Sequence, residues 1–290
     1  MSIKLSNLAT TGAFASGNSF LIETSAGGKR VLQPNALNLI MPNNAAAHNS
    51  VYRGKYLGDS VSATVYNAIN AGTFDPSDVG GLFPGDYWTI GGVNYRIGAL
   101  DYWYKTGDTQ CTKHHVLIVP DAALYNAQMH NTTSGGYESG ASNTTAGGYV
   151  ATDMYLTGLS TAKATVNAAF GSTHILEHRE LLTNAVTNGY ASGGTWADST
   201  VELMTEEMVY GGKEFKNCEQ AANWANGYTI DNAQLPLFAH DHSKICTRAT
   251  WWLRDVASAA SFCGVNHYGI CYADYATYAD GVRPAFAICA

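Results

Sequence analysis

Charge is the scarcest feature of this chain. Asp, Glu, Lys and Arg make up 13% of its 290 residues, against roughly 25% in ordinary soluble domains. No run of Lys or Arg occurs and the net charge is −7. Proteins that hold nucleic acid need a basic stripe to neutralise phosphates, so no nucleic-acid partner is expected. No apolar run approaches the ~20 residues needed to cross a bilayer, so no membrane insertion is expected. The opening Met-Ser-Ile-Lys-Leu-Ser-Asn-Leu has one Lys followed by no continuous apolar segment, which predicts no secretory signal peptide. The expectation is a product of the cytoplasm that leaves, if at all, by lysis. The six cysteines, Cys111, Cys218, Cys246, Cys263, Cys271 and Cys289, include no C-x-x-C pair. Without an export route they read as reduced thiols, not as a disulfide framework. The sequons at Asn131 and Asn143 then mark polar loops only. No nucleophile elbow, phosphate loop or dinucleotide fingerprint is present, and no cofactor is expected.

What stands in place of charge is Gly, Ser, Thr, Asn and Tyr, with 30 Gly and 18 Tyr. This composition suits short strands, many loops, and surfaces that make contacts through hydroxyls, amides and aromatic rings. Residues 1–48 form a distinct opening stretch. Phe20 to Glu23 and Arg30 to Leu32 flank Gly27-Gly28 and predict a hairpin, followed by a linker around Pro42 to Ala45. This stretch reads either as a flexible tail or as a docking or oligomerisation segment. Residues 49–290 read as the main domain. Asp59 or Ser60 can cap a helix carrying Val61, Val65 and Ile69, ended by Gly72. Tyr87 to Ile90 and Val93 to Leu100 flank Gly91-Gly92, a strong hairpin signal. His115 to Val119 predicts a strand stopped by Pro120, in which one of His114 and His115 at most faces the core. Asp121 can cap a short helix through Met129. Residues 131–149 read as a long surface loop, and helices are expected over His174 to Val186 and Ser199 to Val209. Strands and helices mix without regular alternation, which predicts an α+β fold.

Two histidine motifs carry possible chemistry. His174-Ile175-Leu176-Glu177-His178 matches H-x-x-E-H. On a helix the two His would share a face and could hold a metal, with Glu177 as base and Glu202, Glu206 or Glu207 as a third ligand. A five-residue match without its context is weak, and the favoured reading is a polar helix with no metal and no catalytic residue. His240-Asp241-His242 reads as a polar turn. Asp274 and Asp280 are too sparse in sequence to predict a calcium site.

The most informative segment runs from Trp251-Trp252-Leu253-Arg254-Asp255 to Gly281-Val282-Arg283-Pro284-Ala285-Phe286. Between these ends small residues and Tyr are interleaved with Phe262 and Val265. This pattern resembles the variable region of C-type-lectin-like proteins diversified by retroelements. The Trp-Leu-Arg opening, the internal Phe and Val and the closing Gly-Val-Arg-Pro-Ala-Phe all match. Gly85-Asp86-Tyr87-Trp88 to Ile90 and His114 to Pro120 also look like members from gut phages, so the resemblance covers about residues 50–290. It implies a C-type-lectin-like fold with irregular insertions and a short N-terminal appendage, with a variable region at about 251–286. The implied ligand-contacting positions are Ser261, Cys263, Gly264, Asn266, His267, Tyr268, Ile270, Cys271, Tyr272, Asp274, Tyr275, Thr277, Tyr278 and Asp280. The implied scaffold is Trp251, Trp252, Arg254, Phe262, Val265, Gly281, Arg283 and Pro284, buried while the variable side chains are exposed. Randomised adenines in asparagine codons cannot yield Trp, Met, Lys, Gln or Glu, and residues 253–290 contain none of these. The implied role is recognition of a bacterial surface receptor, protein or glycan, by a phage tail component, as a homo-oligomer such as a trimer. A fixed lectin-like module, or a structural virion protein without diversification, is the alternative.

Overall fold

The computed structural model describes residues 19–24, 27–32, 42–130, 143–182, 186–187, 190–191, 195–212 and 234–290. Its fold is α+β, with mostly antiparallel sheet and short helices. No helix among the described residues is long and apolar enough to cross a membrane.

The expected first hairpin forms from β1 (Ser19–Thr24) and β2 (Gly27–Leu32), with Ser19 opposite Leu32. The expected linker does not. Asn44 accepts a hydrogen bond from the amide of Ala47 and starts helix α1 (Ala45–Asn49). His48 of this helix is buried, stacked on Phe83 at 4.5 Å and bonded to the carbonyl of Leu82. Helix α1 is therefore packed against the main body.

A six-stranded sheet forms the centre. Its members are β3 (Tyr56–Gly58), β4 (Tyr87–Ile90), β5 (Val93–Leu100), β6 (Val116–Pro120), β12 (Val201–Leu203) and β17 (Pro284–Ile288), in the order β12-β17-β6-β5-β4-β3. The β4–β5 turn is the predicted pair Gly91-Gly92. Both have positive φ, at 59° and 81°, which only glycine takes without strain and which matches strand twist. Helix α2 (Ala63–Asn70) carries Val65, Ala68 and Ile69 inward, and its cap is Ser62, whose hydroxyl accepts from the amide of Val65. Neither Asp59 nor Ser60 serves, since the helix starts later. Helix α3 (Ser160–Phe170) buries Ala162, Val166 and Phe170 at spacing four.

The sheet is covered on both faces. Val116, Ile118, Phe286 and Ile288 join one apolar cluster with α2 and α3. Their neighbours Leu117, Val119, Ala285 and Ala287 join a second cluster. That second cluster includes Met208 and Val209 of α4 (Glu206–Tyr210) and Leu237 and Phe238 of α5 (Pro236–His240). Double burial explains the unbroken apolar runs of β6 and β17.

The second sheet holds β7 (Tyr125–Gln128), β13 (Trp251–Val256), β14 (Ser261–Val265), β15 (Cys271–Tyr275) and β16 (Ala279–Val282), in the order β15-β14-β13-β16-β7. Strand β7 overturns the helix expected from Asp121. The Asp121 carboxylate takes two bonds from the Arg96 guanidinium at 2.6 Å instead of capping, and residues 125–128 pair with β16.

A third pairing joins β8 (His178–Leu182) to β11 (Thr195–Ser199), with Ser199 opposite His178. Two short strands, β9 (Val186–Thr187) and β10 (Tyr190–Ala191), pair with each other. Within the helix expected over 174–186, His178–Leu182 is strand, and residues 183–185 lie outside the described residues. Its buried residues alternate, His178, Glu180 and Leu182, and the polar two lie inside where hydrophobic patterning does not reveal them. The helix expected over 199–209 is strand β12 followed by α4, which begins only where the Thr205 hydroxyl caps Met208. Of the 131–149 loop, residues 131–142 lie outside the described residues. Residues Tyr149–Ala151 form a 3-10 turn with Tyr149 buried.

Candidate ligand-binding face

Strands β13, β14, β16 and β17 build a rigid frame. Trp251, Trp252, Arg254, Phe262, Val265, Gly281, Arg283 and Pro284 are all buried. Alternation splits them between the two apolar clusters: Trp252 and Phe262 belong to the first, Trp251 and Val265 to the second. Buried indole nitrogens need an acceptor, and Trp252 Nε1 donates to the carbonyl of Ala127 at 2.8 Å, tying β13 to β7. Arg283 lies between Trp251 and Phe238, its guanidinium carbon 4.8 Å and 5.5 Å from the ring centres. It donates to the carbonyls of Pro120 and Lys244. Burial pulls its guanidinium down to about 10, which leaves it charged at neutral pH. Gly281 is required by contact: a Cβ there would lie 2.6 Å from that of Ala123.

Arg254 reaches the other way. Its Nη2 is 2.7 Å from Glu180 Oε1, and both side chains are nearly inaccessible. Burial pushes the Glu180 carboxyl up, but Arg254 and His178 outweigh it and hold the group at about 2. Glu202 lies nearby and takes the Tyr149 hydroxyl at 2.8 Å. Burial, then the charge of Glu180, pushes Glu202 up to about 7.

On this frame the segment between β14 and β16 exposes its largest side chains. Tyr268 is 71% exposed, Ile270 59%, Tyr272 43%, Tyr278 40% and Tyr275 39%. His267 is also exposed, with its ring 3.9 Å from that of Tyr268. Tyr275 and Tyr278 meet edge to face at 5.8 Å. These rings offer large amphipathic area with few rotatable bonds, the physics of an antibody paratope.

Not every expected position faces out. Cys263 is fully buried, because β14 is covered on both faces, and burial together with the Asp255 and Glu206 carboxylates pushes its thiol far up. Gly264 is buried, with an added Cβ 3.1 Å from the Trp251 carbonyl oxygen. Thr277 is buried, and its hydroxyl donates to the side chain of Asn143 at 2.7 Å. These three correct the expectation of exposed side chains. Asn266 is half-buried and builds the loop itself, its Oδ1 accepting from the amides of Tyr268 and Ile270. The thiol of half-buried Cys271 donates inward to Glu206 at 2.8 Å. Ser261 is half-buried at the β14 start. Asp274 and Asp280 are half-buried, and burial, followed by the charge of Asp274, pushes Asp280 up to about 7. Sequence reasoning missed this influence of one carboxyl on the other across the turn from β15 to β16. It also missed Asn143 and Gln128, which hold Thr277 from outside the segment.

The H-x-x-E-H residues do not form a metal face. His174 ends a 3-10 turn, stacks on Tyr66 at 3.8 Å and bonds to the Cys289 carbonyl. Glu177 is exposed, while His178 is buried against Trp103 at 3.8 Å. A cleft of about 260 Å³ lies beside them, lined in part by Cys111, Lys113, Glu177, His178 and Arg179. Among the described residues no group of three or more His, Cys, Asp or Glu is placed to hold a metal ion. In His240-Asp241-His242, His240 bonds to the Asn49 carbonyl and Asp241 takes the Tyr52 hydroxyl. His115 is the one core-facing member of its pair. Among the described residues Cys111, Cys246, Cys263, Cys271 and Cys289 form no disulfide with one another, and Cys218 lies outside the described residues.

Residues 174–290, which include the face and most of its frame, match a family model described as a domain of unknown function (DUF6273). No curated protein matches the chain, and no solved structure matches it.

Proposed function

We propose that this chain is a ligand-binding protein of the retroelement-diversified kind, with a C-type-lectin-like fold, whose residues 261–280 present a variable receptor-binding face. The observation that carries the reading is the contrast at that segment. Five large side chains, Tyr268, Ile270, Tyr272, Tyr275 and Tyr278, stand exposed on β15 and the turns at its two ends, while the strands that flank this segment, β13 and β17, are buried throughout. Single exposed apolar residues are ordinary, but five large ones within eleven positions, next to a buried framework, support the reading of an interaction surface. The role is binding, not catalysis, and calls on no cofactor. A phage tail component recognising a bacterial surface protein or glycan suits a face built from tyrosine, and several copies on one particle would multiply weak contacts into firm attachment.

Deep sequencing of codons 250 to 290 in a population carrying the gene tests this directly. Variation confined to pyrimidine-ending codons between Ser261 and Asp280, with Trp252 and Arg283 fixed, is the expected result. Uniform codons would refute diversification and favour a fixed lectin-like or structural virion module. Burial of residues 261–280 between subunits of the assembled particle would favour the structural one.

A further inference from the structure

The cleft of about 260 Å³ beside His178 shares no residue with the displayed segment 261–280. One wall is the loop 109–113 ahead of β6. The other is the run 176–179 entering β8, with Asp198 of β11 beside it. Both walls are pinned. The amide of Lys105 donates to the Cys111 carbonyl at 2.7 Å, and the amide of Cys111 donates to the Thr106 carbonyl at 3.0 Å. The amide of Leu176 donates to the Ala287 carbonyl of β17 at 2.9 Å. Arg179 joins the walls: its Nε and Nη2 reach both carboxylate oxygens of Asp108, at 2.8 and 2.9 Å, and its Nη1 reaches Asp198 at 3.0 Å. Gly107 permits this approach, since a Cβ there would lie 2.9 Å from that of Arg179. A cleft held in this way is preformed, and its occupant pays little to order it.

The charges around the cleft divide into matched and unmatched. Arg179 is matched by Asp108 and Asp198. Lys113 on one wall and Glu177 on the other are exposed, and the side chain of neither makes a hydrogen bond or ion pair with the described residues, nor do the two bridge each other. An occupant carrying both signs gives each its partner. A polyanion would meet Glu177 and Asp198, a polycation would meet Lys113 and Arg179, and a neutral sugar would leave both charges unmatched. No Tyr, Trp or Phe is among the described lining residues, so a flat ring finds no stacking face. The volume lies below the roughly 300–1,000 Å³ of pockets that enclose drug-sized ligands, which sets the occupant at metabolite size. We propose that this cleft binds a free α-amino acid, with its carboxylate on Lys113 and its ammonium on Glu177. Thr109, Gln110 and Thr112, on the same wall as Lys113, supply hydroxyl and amide hydrogen bonds to the carboxylate. Because both charges are exposed, the grip is weak, with a Kd on the order of 1 mM. The site is independent of the receptor-face reading.

The test is NMR titration of the full chain with glycine and with L-serine, followed through the backbone amides of residues 109–113 and 176–179. The expected result is saturating shifts on both walls, half complete on the order of 1 mM. Acetate and methylammonium each carry one of the two charges and should bind at least about tenfold more weakly, because neither engages both walls at once. Lys113→Met and Glu177→Gln change exposed side chains and should leave the fold intact. Each should weaken amino-acid binding about two- to fivefold, the worth of one exposed ion pair. Wild-type protein decides without the variants: no saturating shift on either wall up to about 50 mM glycine or serine would overturn the site. So would an equal response to acetate alone, or a response that survives both substitutions together unchanged.

Discussion

Arg254 belongs to the Trp-Leu-Arg opening of the framework, and its substitution makes the sharpest test of how that framework is held. The guanidinium reaches Glu180 on β8 at 2.7 Å, with the two side chains 6% and 2% exposed. Arg254→Met keeps most of the stem's volume and removes the charge. Among the described residues Glu180 then keeps His178, at 3.6 Å, as its one ion-pair partner. Breaking one side of a buried pair costs about 3–5 kcal/mol, mostly the penalty of stranding the other ion. At about 2–4 °C per kcal/mol, the melting temperature should fall by roughly 6–20 °C. The assay is urea unfolding followed by tryptophan fluorescence, since Trp251 and Trp252 flank the site in sequence and are fully buried. The double variant Arg254→Met with Glu180→Gln removes both charges and should recover most of the loss, because well-packed neutral groups can replace a buried pair at little cost. A single variant within about 1 kcal/mol of wild type, or a double variant as unstable as the single one, would refute the reasoning.

Glu202 gives a pH dependence of definite sign. Its folded value of about 7 lies above the ordinary 4.5. Its contribution is therefore fully present below about pH 4.5 and lost as pH rises through about 7, a swing of about 3 kcal/mol. Glu202→Gln should flatten this alkaline loss in unfolding curves taken across that range, and an unchanged slope would show that the carboxyl is ionised throughout. At the displayed face the expectation is the opposite of Arg254: Tyr268→Ser and Ile270→Ser should each shift unfolding free energy by no more than about 0.5 kcal/mol. A loss of several kcal/mol at either would mean that these side chains hold the fold.

The parts of the structure legible in the sequence are those where local chemistry and tertiary packing agree. Gly91-Gly92 between two alternating runs allows one short hairpin, and that hairpin is present. Val65 and Ile69 at spacing four mark a helix, while its start depends on which hydroxyl reaches the Val65 amide, a matter of one turn of chain. Misreadings cluster where polar residues are buried. His178 and Glu180 face inward on β8, so its period of two is hidden from a hydrophobic pattern and the His spacing of four suggests a helix. Asp121 looks like a cap until Arg96, which is 25 residues away, takes its carboxylate. Helix α3 was missed because its inward residues include Ala162 among Ser, Thr and Ala, a weak contrast. In the candidate site the framework was legible through the Trp-Leu-Arg and Gly-Val-Arg-Pro-Ala-Phe pattern, whose residues are all buried. The influence of Asp274 on Asp280 was not, since six positions of chain separate the two residues and the burial that raises Asp280 comes from the fold.

The same burial pattern divides the expected variable positions into two kinds and sharpens the sequencing test. Side chains that point outward, His267, Tyr268, Ile270, Tyr272, Tyr275 and Tyr278, stand clear of both apolar clusters. Replacing them changes what the face offers and leaves the frame intact. Cys263, Gly264 and Thr277 point into the body. A larger residue at Cys263 enters a core that is already full, with a cost of about 1–3 kcal/mol for overpacking. A side chain at Gly264 presses on the Trp251 carbonyl, and Thr277 anchors the crossover through Asn143. Asn266 holds the turn through two backbone amides. If the face is diversified on this frame, codons at the six outward positions should vary freely, while those at Cys263, Gly264, Asn266 and Thr277 should be fixed or restricted to small residues. Free variation at Cys263 and Gly264 with the fold retained would mean that β14 is not the buried strand on which this reading depends.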